Sequence, residues 1–189
     1  VVAGGAGPLG AGGDHSISLP ILRALAARHG ALGLVQFDSH IDTWDEDFGS
    51  KIFHGSPFYY AITEGLVDPR RFVQVGIRGP MYGEEDFEFH REHGIRMIDI
   101  DQVKDRGVAW VGDEIRKAVT GPAYMTFDID AVDPAFAPGT GTPEVGGLTS
   151  HEAQPGTCSN SPLLVAATSA RVMIPMHLVA SLVPWLNPM

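Results

Sequence analysis

The segment Ala31–Phe37, ALGLVQF, is apolar on successive residues rather than alternate ones. As a strand it therefore has to be covered on both faces, the condition of a parallel sheet. Arg71–Ile77, Gly94–Ile100 and Pro122–Ile129 read as further strands of this kind. Between and before them lie helical stretches. Ser18–His29 places Ile21, Leu22, Leu25 and Ala26 on one stripe and meets a stop at Gly30, and Trp110–Val119 has helical spacing as well. Strands alternating with helices predict an α/β fold, a three-layer α/β/α arrangement around a mostly parallel sheet. A chain of 189 residues accommodates one such core. The first thirteen residues, mostly Gly and Ala, make a poor strand.

Charge and cysteine content narrow the partners. The net charge of -10 argues against nucleic acid and against an anionic membrane surface. No apolar run approaches the roughly 20 residues needed to span a bilayer, and a hydrophobic fraction of 44% reads as soluble and globular. Cys158 is the single cysteine, so no intrachain disulfide is available and a reducing, cytoplasmic setting is expected. The start has neither an initiator Met nor a basic leader, so the N-terminus reads as incomplete or processed. From residue 153 to 189 there is no Asp, Glu or Lys, and Arg171 is the one formal charge. The chain thus divides into a core over 1–152 and an atypical segment over 153–189. A buried segment and a slipped reading frame both fit that composition.

Five short motifs carry chemistry. Asp38-Ser39-His40-Ile41-Asp42 directly follows the first apolar strand. In extended chain residues 38, 40 and 42 project to one side, at the carboxyl end of a parallel strand, where open α/β sheets bind ligands. A loop rich in capping acids is the alternative. Asp128 and Asp130 end a second strand in the same way. Four converging carboxylates with no nearby Lys or Arg are costly to bury, and one or, better, two divalent cations would neutralise them. Asp133, before Pro134, reads as a turn former. Asp99-Ile100-Asp101 has the same spacing but no histidine nearby, and reads as a solvated strand end. His15, in Gly12-Gly13-Asp14-His15-Ser16, stands at the mouth of the sheet, with Asp14 or Ser16 able to cap the following helix. His54, in His54-Gly55-Ser56-Pro57-Phe58, is a candidate proton shuttle. The Gly- and Pro-rich run Pro138–Pro143 reads as a rigid wall beside the pocket.

In this order, GGDHS, FDSHID, HGSPF and FDIDAVDPAFAPGTGTPEVGGLTSHE resemble the arginase–agmatinase (ureohydrolase) family over Gly12 to Glu152, with VQVGIRG and GTGTP nearer its agmatinase branch. The resemblance implies an arginase-like fold, a homo-oligomer and a cofactor of two Mn²⁺. It implies that His15 and Asp42 bind one ion, His40 and Asp130 the other, and that Asp38 and Asp128 bridge them. The activity implied is manganese-dependent hydrolysis of a guanidino C–N bond releasing urea. Asp42 would take the proton and His54 would relay protons. The substrate would be a small cationic guanidino compound, agmatine first. A sister activity on guanidinobutanoate, guanidinopropanoate or formiminoglutamate is the alternative, and a metal-binding relative without catalysis is another. The acidic loop Thr43-Trp44-Asp45-Glu46-Asp47 favours a free amine over a carboxylate. Family members carry a longer portion before GGDHS and an acidic Glu-Val-x-Pro motif after GGLT. Neither is present here, so weak metal binding or slow turnover is expected.

Overall fold

A computed structural model describes residues 8–81, 83–153 and 163–168. Six parallel strands form one sheet: β1 (Ala11–Gly12), β2 (Leu32–Phe37), β3 (Val67–Ile77), β4 (Arg96–Asp99), β5 (Ala123–Asp128) and β6 (Leu163–Thr168). Their order across the sheet is β1-β6-β5-β2-β3-β4. From β2 the chain moves outward through β3 and β4, then returns to β5 on the other side of β2. The carboxyl ends of β2 and β5 therefore flank a topological switch point, where open α/β sheets leave a crevice.

Among the described residues four helices cover the two faces: α1 (Ser18–His29), α2 (Pro57–Thr63), α3 (Glu84–His93) and α4 (Ile100–Ala118). On one face Leu19, Leu22 and Leu25 of α1 pack with Phe58, Ala61 and Ile62 of α2 against Leu34, Phe72 and Tyr124 of the sheet, and Phe89 of α3 closes the edge. On the other, Val103, Val111 and Ile115 of α4 meet Val35, Val73, Val75 and Ile98. This is the expected three-layer α/β/α arrangement.

Several expectations shift in detail. The buried stripe of α1 is Ser18, Leu19, Leu22 and Leu25, with Ile21 and Ala26 only half-buried. Ala11 and Gly12 do form a strand, because β6 offers a parallel edge to pair with. Strand β3 begins earlier than Arg71, at Val67, and β4 is shorter than expected because α4 starts at Ile100. That helix is longer than Trp110–Val119 and is broken at Gly107, whose φ of 78° is not helical. Asp99 is its N-cap, accepting the Gln102 amide at 2.8 Å. The Asp99/Asp101 pair is thus a strand end spent on starting a helix. Within the charge-free tail, β6 is described, pairing β5 and β1; residues 154–162 and 169–189, where the readings of a buried segment or a slipped frame fall, lie outside the described residues. Among the described residues no helix is long and apolar enough to cross a membrane.

Candidate metal centre

Strands β2 and β5 are paired in register, Phe37 opposite Phe127, so the residues that follow, Asp38 and Asp128, leave the sheet side by side. Neither motif then continues as extended chain. After Asp38 the backbone turns: the His40 amide donates to Asp38 Oδ1 at 2.8 Å, and the Ser39 carbonyl accepts from the amides of Arg78 and Gly79. Asp42 sits in the left-handed region at φ 51°, which Asp tolerates better than most residues. After Asp128 a single 3-10 turn, Ile129–Ala131, begins with Asp128 Oδ1 accepting the Asp130 amide at 3.1 Å. Convergence of the acids thus comes from two tight turns, not from the alternation of an extended strand. The third contributor is the 3-10 turn His15–Ile17, which Asp14 caps through the Ser16 amide.

These turns bring all six predicted metal ligands together. His15 Nδ1 lies 2.7 Å from Asp42 Oδ2, 3.1 Å from Asp38 Oδ2 and 3.6 Å from Asp128 Oδ2. His40 Nδ1 lies 3.2 Å from Asp130 Oδ2 and 3.6 Å from Asp38 Oδ1. Two candidate ligand groups result, His15/Asp38/Asp42 and Asp38/His40/Asp130, each with its ligand atoms within 4.8 Å of one another. Asp38 belongs to both, while Asp128, beside His15 Nδ1, belongs to neither. His15, Asp38, Asp42 and Asp130 are buried, and His40 is partly so.

The supporting hydrogen bonds orient the ligands. Asp130 Oδ1 accepts from the Ser39 amide and hydroxyl, and its Oδ2 accepts from the Thr142 hydroxyl at 3.1 Å. Thr142 lies in the run read as a wall, and this contact sets that wall against the pocket. Gly79 passes so close that a Cβ there would meet His40 Cδ2 at 2.5 Å, which is a reason for glycine at that turn. Asp133 accepts from the amides of Ala135, Gly146 and Gly147, the turn-forming part expected of it. His54 is exposed, its ring edge-on to Phe53, on the loop between Asp42 and α2.

One cation beside the pocket has no role in the sequence reading. The half-buried Arg78 guanidinium donates to the carbonyls of Asp130, Ala131, Glu144, Val145 and Gly76. It ties the acid-bearing turn after β5 to the segment that follows the wall and to the end of β3. Its position directly after β3, one turn from a glycine, was the available signal. Because its donors are spent on backbone carbonyls, it leaves most of the carboxylate charge uncompensated.

That excess charge shows in the proton affinities. Burial, with the neighbouring Asp38 charge, pushes the Asp42 carboxyl up to about 7. Burial, with Asp38 and Asp130, pushes Asp128 up to about 8. Burial opposes charging of His40, yet Asp130 and Asp38 outweigh it and raise the imidazole to about 10. His15 is raised as well, by Asp38 and Asp42 against the effect of burial. Asp38 is held below the ordinary carboxylate range: burial pushes it up, but the His15 and His40 imidazoles beside it prevail. A site that holds protons this tightly without metal is one in which cations can replace them. His15 gives the sharpest fit. Its Nε2 is 2.9 Å from the Thr126 hydroxyl, while its buried Nδ1 has carboxylate oxygens close by but no hydrogen bond to them. A ring nitrogen set among carboxylate oxygens is a position where a metal ion can displace the proton. The donor set, carboxylate oxygens with imidazole nitrogens and no thiolate, suits a hard or borderline divalent cation.

The sequence profile of the arginase family matches residues 1–158. The chain belongs to the arginase family. A guanidinopropionase of Pseudomonas aeruginosa is 53% identical over 156 residues, covering 82% of this chain and 49% of that protein. A mitochondrial agmatinase of Gallus gallus is 46% identical over 154 residues, covering 81% of this chain and 45% of its own length. Among solved structures, proclavaminate amidino hydrolase from Streptomyces clavuligerus superposes with a TM-score of 0.75 at 40% identity, over 85% of this chain and 54% of that one. This arginase-family chain therefore spans about half the length of the curated relatives it matches.

Proposed function

We propose that the two ligand groups hold a pair of manganese ions and that the protein hydrolyses a guanidino C–N bond with release of urea, agmatine being its substrate. The observation that carries this reading is the sharing of Asp38 between the His15/Asp42 and the His40/Asp130 groups. In this assignment His15 and Asp42 hold one ion, His40 and Asp130 the other, and Asp38 with Asp128 hold both. When bound, two such cations supply a water-derived nucleophile near neutral pH, which a resonance-stabilised guanidinium requires. The protein's own part is to fix the substrate and move protons. Asp42 would receive a proton at its carboxylate, and the exposed imidazole of His54 would return one to the departing amine. Glu144, its Oε1 3.8 Å from His40 Nε2, and the acids Asp45, Glu46 and Asp47 on the loop leaving Asp42 make the approach negative. Such a surface attracts a cationic substrate and suits the ammonium end of agmatine better than a carboxylate. The single cysteine fits a reducing, cytoplasmic setting.

The 53% identity to a guanidinopropionase favours a second reading, in which a guanidino acid is turned over. Urea release by the manganese-loaded protein from agmatine, 3-guanidinopropanoate, 4-guanidinobutanoate and arginine separates the two. The expected result is the highest kcat/KM on agmatine. A preference for either guanidino acid moves the assignment to the second reading, and urea from none of the four overturns the proposal.

A further inference from the structure

Two glutamines occupy central strands where the neighbouring positions are apolar. Gln36 of β2 and Gln74 of β3 are register partners, and both are fully buried. An amide there is unfavourable unless all its polar atoms are bonded, and these are bonded in one direction. Gln36 Nε2 donates to Asp38 Oδ2 at 2.8 Å and to the His40 carbonyl at 3.1 Å. Its partner Gln74 donates through Nε2 to Gln36 Oε1 at 2.8 Å and to the Ile41 carbonyl at 2.6 Å. Gln74 Oε1 faces His90 Nε2 at 2.7 Å, and His90 Nδ1 lies 2.8 Å from the Asp86 carbonyl one turn back along α3; burial keeps the ring neutral, so it donates to one of these two oxygens, and the Nε2–H tautomer is the one that fixes Gln74. Asp86 Oδ1 in turn accepts from the indole of Trp44 at 2.8 Å. Each amide has its NH₂ group facing two acceptors, so neither can be turned over without breaking both bonds. The chain thus begins on the loop that leaves the metal centre, crosses α3 and two strands, and ends on the one carboxylate that both ligand groups share.

We propose that Gln36, aligned by Gln74 and His90, is a positioning residue that fixes Asp38 and the backbone of residues 40–41 in the geometry required for a metal pair. The Asp38 oxygens each accept one protein hydrogen bond, from the His40 amide and from Gln36, and their remaining lone pairs are thereby directed into the pocket. Partners of this kind set ligand orientation, and their loss weakens metal affinity by about 10- to 100-fold. The inference rests on the reading that Asp38 is a metal ligand.

The test is manganese titration of the full chain and of Gln36→Met, His90→Phe and the double variant, with the melting temperature of each metal-free protein as a fold control. Gln36→Met keeps a long side chain while removing both N–H groups. Its expected result is a loss of manganese affinity of about 10- to 100-fold in a protein that still unfolds cooperatively. His90→Phe, two links away, is expected to lose less in the same direction. The double variant is expected to lose less than the product of the two single losses, because both act through one chain. Unchanged affinity in folded Gln36→Met, or losses that multiply independently, overturns the proposal. Should Gln36→Met not fold, His90→Phe decides alone: lowered affinity supports the proposal and unaltered affinity overturns it. A wild-type chain that binds no manganese removes the functional reading and this inference with it. Normal binding by both wild type and Gln36→Met removes only the inference.

Discussion

Manganese should raise the melting temperature of this chain, and the rise should be larger at pH 8 than at pH 6. Asp42 and Asp128 have carboxyls raised to about 7 and about 8, above their values in the unfolded chain. In their protonated form they favour the fold at low pH, and they withdraw that contribution as the pH climbs through the folded values. His40, raised to about 10, holds its contribution below the ordinary histidine range and gives it up as the pH rises toward that value. His15 shifts in the same direction. Asp38 behaves oppositely, because its depressed carboxyl supplies stability that is lost only in acid. Between pH 6 and pH 8 the metal-free protein therefore loses stability, while the same deprotonations prepare the ligands for cations. At metal concentrations of about 100 times Kd one bound ion adds ~2.7 kcal/mol. For a domain of this size each kcal/mol moves Tm by roughly 2–4 °C, so roughly 5–10 °C per ion is expected at pH 8. Thermal unfolding with and without manganese at the two pH values reads this directly. An equal shift at both, or a larger one at pH 6, contradicts the proposed origin of the perturbed carboxyls.

Replacing Asp38 should abolish the binding of both ions, where replacing His15 or Asp130 should spare one. Asp38 is the one residue common to the two candidate ligand groups. Asp38→Ala leaves His15 with Asp42 and His40 with Asp130, and Asp128 as the remaining carboxylate that could serve both ions, too few donors to hold either tightly, and urea release should fall below detection. Asp101→Ala is the matched control: it removes an exposed acid of a motif with the same spacing, at the first turn of α4. Manganese content by elemental analysis and urea formation measured on the same samples check both variants. A full complement of metal in Asp38→Ala contradicts the shared-ligand arrangement.

Much of this was legible in the sequence because the physics is local. Ala31–Phe37 announces a strand covered on both faces, and Ser18–His29 a helix closed by Gly30. Both are found within a residue of those bounds. The convergence of the six candidate ligands was legible for a different reason, since acids after apolar strands have few inexpensive fates. What failed depended on partners far along the chain. The Ala11–Gly12 strand exists only because β6 lies beside it. Helix α2 spans seven residues, too few to show a period, and α3 carries eight charged or histidine side chains whose acidic first turn and basic last turn complement the helix dipole in place of an apolar stripe. Gln36 and Gln74 escaped notice because a polar residue in a strand declares no partner, and Arg78, just beyond β3, because its partners are backbone carbonyls distant in sequence. Their parts follow from register, and register comes from the sheet. His54 was singled out by its motif and stands exposed near Phe53; its proton-relay role is part of the proposed function.

The central claim is a pair of ions held by shared carboxylates, and electron paramagnetic resonance of the manganese-loaded chain addresses it most directly. Two ions close enough to share Asp38 would give a spin-coupled spectrum, with two manganese per chain by elemental analysis of the same sample. An uncoupled six-line signal, or a stoichiometry of one or less, would contradict the account.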